Sequence, residues 1–232
     1  MQHLGSFLAL AIVAIGPPAT ARLRENDWAN LARYREVNRA LAATPDPRRI
    51  VFVGDSITEV WADRPAFRAN PHFVGRGIGG QTAGQMLERF RSDVIQLKPA
   101  VVHILGGTND IAQNMGPETE EQALSYIAGM TELAQASGIK VVIGSVPPTA
   151  DFPWRKGMEP AAKIRRFNLK LAAYAASHGA TYADYWTPMA AGDGSMKPQY
   201  SRDGLHPNVT GFEVMQSVAE AALAEAATPS AR

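Results

Sequence analysis

The chain contains no cysteine. That absence excludes disulfides, a thiol nucleophile, thiolate metal sites and a lipidated N-terminal cysteine. It leaves the compartment open, because an exported protein need not use disulfides. An excess of one charge is missing too: 23 Lys and Arg stand against 22 Asp and Glu, a formal net charge of +1. There is therefore no electrostatic case for nucleic acid or an anionic membrane surface as a partner. No block of like charges, internal repeat or low-complexity tract divides the 232 residues. The longest apolar stretch, Leu4–Ile15, falls short of the roughly 20 residues a membrane span needs, so no stable span is expected.

That stretch is followed by Gly16-Pro17-Pro18 and then Ala19-Thr20-Ala21. A short apolar segment, a helix breaker and an A-x-A site read as a secretory signal cleaved after Ala21. Only the α-amino group and His3 precede the apolar segment, so the n-region is thin. The expectation is an exported protein, periplasmic or secreted. Residues 1–21 are the signal peptide, and 22–232 form one domain large enough for a sizeable core.

Within that domain, Ile50–Val53 is apolar and mostly β-branched and ends abruptly in Gly54-Asp55-Ser56. It reads as a buried strand stopping at a turn. Further strands are predicted at Phe73–Arg76, Val101–Leu105, Ile139–Ile143 and Thr181–Asp184. Helical spacing covers Glu25–Ala43, Ile57 onward to a break at Arg64-Pro65, and Ala83 to about Leu97 behind Thr82 as N-cap. It recurs at Glu118–Ser137 before Gly138, at Ala161–Ser177 before Gly179, and from Asn208 or Thr210 to about Ala226. Pro147–Pro160 and Trp186–Arg202 read as loops, and Thr228–Arg232 as a fraying tail. Alternating strands and helices predict a parallel sheet covered on both faces. The expected fold is a three-layer α/β/α sandwich around a flavodoxin-like five-stranded parallel sheet. Right-handed crossovers then bring Ser56, Gly80 and Asn109 to one edge, where such sheets bind ligands.

Each of these strand ends carries usable chemistry. Ser56 suits either a nucleophile or the N-cap of the helix behind it. Asp203 and His206 lie three residues apart in Asp203-Gly204-Leu205-His206-Pro207. A carboxylate there reaches one ring nitrogen and leaves the other to take a proton; an ordinary Asx turn beside a solvated histidine fits as well. His103, inside a strand, reads as a packing residue. The glycines of Gly77–Gly80 let backbone N–H groups approach a ligand, and Asn109 offers a side-chain amide. With the Ser56 N–H, Gly80 and Asn109 make three candidate oxyanion donors, although turns also use these residue types. The glycine run lacks G-x-G-x-x-G spacing and no Walker lysine follows, so no nucleotide cofactor is expected. Nor is a metal, since no ligand cluster has metal spacing. Trp61, just after Ser56, and Phe152 and Trp154, in the Pro147–Pro160 loop, are candidates to wall a substrate pocket or stack on a sugar. Core and surface packing suit them equally.

Four of these blocks, in this order, resemble the GDSL/SGNH hydrolase family: Gly54-Asp55-Ser56, Gly77–Gly80 with Gln81-Thr82, Gly107-Thr108-Asn109-Asp110, and Asp203-Gly204-Leu205-His206-Pro207. The resemblance runs from about Ile50 to the last helix, and departs from the family pattern in having Ile57 where the first block usually carries leucine. It implies Ser56 as nucleophile, His206 as base and Asp203 as its orienter. It also implies an oxyanion hole of the Ser56 N–H, the Gly80 N–H and the Asn109 side chain. Choosing Gly80 over Gly79 rests on aligning the glycine that directly precedes Gln81-Thr82. The order Ser, Asp, His, with a three-residue step between the last two, distinguishes the chain from G-x-S-x-G hydrolases, whose strained elbow is absent here. The chain most resembles the short-acyl branch, which includes carbohydrate acetyl esterases and platelet-activating-factor acetylhydrolase-like proteins. A small-molecule or glycan ester is the implied substrate. Lysophospholipid or thioester hydrolysis, O-acyl transfer, and glycan binding without catalysis are the alternatives.

Overall fold

The structure, a computed structural model, describes residues 27–228. The expected signal peptide and residues 229–232 of the tail lie outside the described residues.

Helix α1 spans Arg35–Ala43, ten residues later than the spacing of Trp28, Leu31 and Tyr34 predicts. Asp27 is the physical reason. Its carboxylate accepts the Leu31 and Ala32 N–H groups at 2.6 and 3.0 Å and ties the segment into turns. Trp28 and Leu31 stay exposed, so their spacing marks no buried face.

Strand β1 (Ile50–Gly54) runs into helix α2 (Ser56–Ala62), and a short α3 (Pro65–Arg68) follows the expected break. Strand β2 (Phe73–Gly77) leads through the glycine loop to α4 (Ala83–Asp93). Thr82 and Gln85 close a capping box at the start of α4. The helix ends at Asp93, and a 3₁₀ turn at Ile95–Leu97 completes the predicted stretch. Strand β3 (Val101–Leu105) passes into the one-turn α5 (Thr108–Ile111). Helix α6 (Glu120–Ala136) starts two residues after its predicted start, because Thr119 caps it through Gln122. Then come β4 (Lys140–Gly144), α7 (Ala161–Ser177) and β5 (Thr181–Ala183). The predicted loop 186–202 contains α8 (Trp186–Met189) and a 3₁₀ turn (Pro198–Tyr200). Asn208 caps the final helix α9 (Val209–Ala227).

All five strands are parallel, in the order β2-β1-β3-β4-β5. The fold is thus the three-layer flavodoxin-like sandwich expected from the sequence. The chain leaves β1 toward β2 on one side and returns to β3 on the other. This topological switch opens a crevice beyond the C-terminal ends of β1 and β3.

Alternation along the strands fills both faces. Val51, Val53, Val102, Ile104, Val141 and Ile143 pack with Met86, Phe90, Ile127, Met130, Phe167 and Leu171 of α4, α6 and α7. Phe52, Leu105 and Val142 pack with Ile57, Trp61, Phe67, Phe212 and Met215 of α2, α3 and α9. Here Phe52 meets Trp61 and Phe67 edge-on, with centroids 5.4 and 4.8 Å apart. Such pairs add about 0.5–1.5 kcal/mol each beyond area burial.

Two features hold the end of β1 in place. Gly54 allows α2 to pack closely: a Cβ there would lie 2.0 Å from Thr58 Oγ1. Arg89, wholly buried and ion-paired with Asp93 at 2.8 Å, donates to the Gly54 carbonyl at 2.9 Å and to Gln81 Oε1 at 2.6 Å. A single side chain therefore joins the strand before Ser56 to the loop after β2.

Candidate active site

Ser56 is the first residue of α2, and Asp55 is its N-cap. Asp55 Oδ1 accepts the Ile57 N–H at 2.9 Å, so the capping reading of Ser56 passes to its neighbour. Freed from capping, the serine hydroxyl faces His206, with Oγ and Nε2 3.0 Å apart across 150 residues of chain. The Ser56 N–H is one of the first-turn amides that have no intrahelical acceptor.

The other half of the pair is built by a tight turn. Asp203 Oδ2 is 2.7 Å from His206 Nδ1. Asp203 Oδ1 accepts the Leu205 and His206 N–H groups at 2.9 and 2.8 Å and the Ser201 hydroxyl at 3.0 Å. Partial burial works to raise the Asp203 pKa. The bonds from the His206 ring, the two N–H groups and Ser201 outweigh it and hold the carboxyl down at about 2. Asp203 is therefore ionised at neutral pH, as a group that steadies an imidazolium must be. Pro207 fixes the far side of the turn by a bridge to Ser201.

The anion-binding side comes from the loops after β2 and β3. Glu59 Oε2 accepts the Gly79 N–H at 2.8 Å, which takes that amide out of use. The Gly80 N–H has no acceptor among the described residues, and Gly80 adopts φ +77. Asn109, on α5, is buried and donates Nδ2 to the Gln81 carbonyl at 3.0 Å and to Asp55 Oδ2 at a longer 3.3 Å. Asp110 receives the Ala83 N–H on both carboxylate oxygens, at 2.9 and 3.1 Å, and so holds the start of α4 beside the glycine loop. Burial raises the Asp110 carboxyl well above the usual range and lifts Asp55 to about 6.

These groups line a cleft of about 530 Å³ with Ser56, Gly80, Asn109 and His206 on its walls. Trp154, 47% exposed, stands at its rim with Met115. The Trp154 indole N–H donates to Asn114 Oδ1 at 3.0 Å, and Asn114 Nδ2 donates to Asn109 Oδ1 at 2.7 Å and to the Gly80 carbonyl at 3.3 Å. Trp61 and Phe152, expected as pocket walls, are 1% and 0% exposed. Trp61 lies between Phe52 and Phe212 and donates its indole N–H to Gln216 at 3.0 Å. Phe152 joins the core on the α7 face of the sheet. Both aromatics are corrected to core residues, buried by the sheet face they meet. His103 is likewise buried, its pKa driven down to about 3 by desolvation, and it pairs with the Tyr185 hydroxyl at 2.6 Å. A larger groove of about 940 Å³ between α7 and the 186–194 segment contains none of the Ser56 cleft residues. Among the described residues no group of three or more His, Cys, Asp or Glu is placed to hold a metal.

A GDSL-like lipase/acylhydrolase family model matches residues 52–214, which include Ser56, Gly80, Asn109, Asp203 and His206. The chain belongs to this GDSL family. The crystal structure of a GDSL-like lipase from Bacteroides thetaiotaomicron is 42% identical, with TM-score 0.81 over 86% of this chain and 99% of that one. A second structure, from Bacteroides fragilis, is 41% identical with TM-score 0.81, covering 85% and 97% of the two chains. The acetylxylan esterase Axe2 of Geobacillus stearothermophilus shares the fold at 17% identity and TM-score 0.61, over 81% and 98%. No match is found among curated proteins.

Three residues of this GDSL site hold places that sequence position alone did not single out: Asp55 as cap and Asn109 partner, Glu59 as the acceptor of Gly79, and Asn114. Asp55 alone carried a signal, since an Asp directly before a predicted helix is a strong N-cap.

Proposed function

We propose that this GDSL-family protein is a serine esterase for short acyl groups, with O-acetyl groups on carbohydrates or small alcohols as its substrates. The observation that carries the reading is the continuous Ser56–His206–Asp203 chain at 3.0 and 2.7 Å. His206 Nε2 takes the serine proton as Oγ attacks the ester carbonyl, and Asp203 stabilises the imidazolium. The oxyanion develops between the Ser56 N–H, the Gly80 N–H and Asn109 Nδ2. The Asn109 hydrogen bound to Asp55 at 3.3 Å is the one a substrate oxygen competes for. His206 then returns the proton to the leaving alcohol, the Ser56 acyl ester forms, and water reverses the sequence to release the acid.

Short-acyl preference is supported by the openness of the cleft, whose walls set the amide side chains of Gln81, Gln85, Asn109 and Asn114 beside Met115 and Trp154. Trp154 at the rim offers a face for a sugar ring. Comparing acetyl, butyryl and octanoyl 4-nitrophenyl esters, then acetylated xylo-oligosaccharides, tests the reading. A steep fall in kcat/KM beyond acetyl supports it; preference for octanoyl points instead to a lysophospholipase or thioesterase. Product analysis with a sugar acceptor separates hydrolysis from O-acyl transfer. Undiminished 4-nitrophenyl acetate turnover in Ser56→Ala overturns the mechanism, and absence of any ester turnover in the wild type leaves glycan binding as the reading. The Leu4–Ile15 segment and Ala19-Thr20-Ala21 support export, tested by sequencing the exported chain for an N-terminus at Arg22.

A further inference from the structure

His206 borders two cavities. One is the Ser56 cleft; the other, of about 520 Å³, is bounded by Arg64, Arg202, Asp203, His206 and the start of α9. Arg64 is half-buried, and its guanidinium carbon sits 5.0 Å from the Phe212 ring centroid, within cation–π range. Its Nε is fully buried with no acceptor, which leaves the terminal nitrogens to serve the cavity, and among the described residues neither the Arg64 nor the Arg202 side chain has a hydrogen bond or ion pair.

For exposed Arg202 a free side chain is ordinary, but for half-buried Arg64 it contrasts with the buried arginines. Buried Arg49 donates to the carbonyls of Leu97, Leu41 and Thr44. Buried Arg76 donates to Asn38 and Gly75. Buried Arg89 is satisfied by Gln81, Asp93 and Gly54. An unpaired donor removed from water is costly, so a half-buried arginine without acceptors calls for a specific explanation. The one carboxylate at this cavity, Asp203, is already bonded to the His206 ring and the turn amides, and it does not pair with Arg64.

We propose that Arg64 and Arg202 form an anion-binding subsite for a carboxylate or phosphate carried on the alcohol half of the ester. This deepens, and rests on, the esterase reading. The direction follows from the proton transfer: His206 Nε2 protonates the leaving oxygen, so the alcohol lies on the histidine side while the acyl oxygen points to Gly80 and Asn109. An alcohol that extends past His206 enters the arginine cavity. A guanidinium fork suits a bidentate carboxylate or phosphate, and a cation half-removed from water interacts with it more strongly than a solvated one.

The test compares kcat/KM for acetylated glucuronic acid, acetylated glucose and acetylated glucose 6-phosphate. All three present the same acetyl group on a similar ring, and the charged arms separate carboxylate from phosphate recognition. Wild type is expected to favour at least one charged ester about 10-fold over the neutral one, and added salt to shrink the preference. Arg64→Met should bring the ratio close to one through KM, Arg202→Met should lower it in part, and Arg64→Lys should restore some of it. If Arg64→Met does not fold by circular dichroism, Arg202→Met decides. A wild-type ratio near one, or a preference untouched in the folded variants, overturns the subsite and leaves the esterase reading standing. Failure of wild type to hydrolyse any of these esters or 4-nitrophenyl acetate overturns both.

Discussion

Asn114 donates its side-chain amide to Asn109 Oδ1 at 2.7 Å, and this bond decides which end of the Asn109 side chain is the donor. The same Asn114 accepts the Trp154 indole N–H, so the rim aromatic and the oxyanion side chain are linked through one residue. Asn114→Ala is expected to lower kcat about 10-fold with little change in stability, because Asn109 then loses the acceptor contact that orients it. Asn109→Ala removes the donor itself and should cost about 10²–10³ in kcat. Steady-state kinetics with 4-nitrophenyl acetate, alongside thermal melts, distinguish the two; an unchanged kcat in Asn114→Ala would remove Asn114 from its orienting role.

The two tryptophans should behave in opposite ways. Trp61 fills the core between Phe52, Phe67 and Phe212, so Trp61→Ala is expected to destabilise by about 3–5 kcal/mol. Trp154→Ala at the rim should change stability by less than about 1 kcal/mol while raising KM for sugar esters several-fold. Urea titrations and sugar-ester kinetics on both variants check the pair. A large KM effect in a stable Trp61 variant would return that residue to the substrate wall.

Gly79 and Gly80 differ in a way that mutagenesis can read. A Cβ at Gly80 would meet only open space, but the φ of +77 strains any L-residue there, at about 1–2 kcal/mol. Its unbonded N–H is also the one assigned to the oxyanion. Gly79 has an ordinary φ and an N–H already held by Glu59. Gly80→Ala is expected to reduce kcat more than Gly79→Ala does. The reverse order would move the oxyanion role to Gly79.

Asp203 and Asp55 pull the stability profile in opposite directions, and Asp110, raised to about 7 by burial, acts with Asp55. Asp203 has a folded pKa of about 2, below its unfolded value of 3.8, so its contribution is present above about pH 4 and is lost as pH falls toward 2. Asp55 has the opposite sign: burial raises its folded pKa to about 6, so the folded state holds a proton that the unfolded state releases. Stability from Asp55 therefore declines as pH rises from about 4 to 6, by an amount on the order of 2–3 kcal/mol. Denaturant melts from pH 2 to 7 should show a rise and then a fall, with Asp203→Asn flattening the first limb and Asp55→Asn reducing the second, whose remainder belongs to Asp110. An unchanged second limb in Asp55→Asn would show that its carboxyl is ionised throughout.

Much of the sheet was legible because its strands are short apolar runs closed by glycine, and a parallel sheet buried on both faces leaves little else possible for such runs. Ser56, Asn109, Asp203 and His206 were visible for a related reason: strand ends and a short turn place chemistry by sequence position alone. The false start of α1 came from Trp28 and Leu31, whose helical spacing is undone by the Asp27 side chain capping a turn. Trp61 and Phe152 were misplaced because an aromatic near a nucleophile looks the same in sequence whether it faces the cleft or the sheet. Asn114 and Glu59 were missed because each acts only across a tertiary contact, on groups brought near by the fold.

Acylation of Ser56 is the step on which the proposed esterase rests. Rapid acid quenching during 4-nitrophenyl acetate turnover, followed by peptide mass spectrometry, tests it directly. One added acetyl group is expected on the peptide containing Ser56, absent in Ser56→Ala, whose turnover is lost. Sustained turnover with that peptide unmodified, or acetyl found on another residue at the catalytic rate, would contradict it.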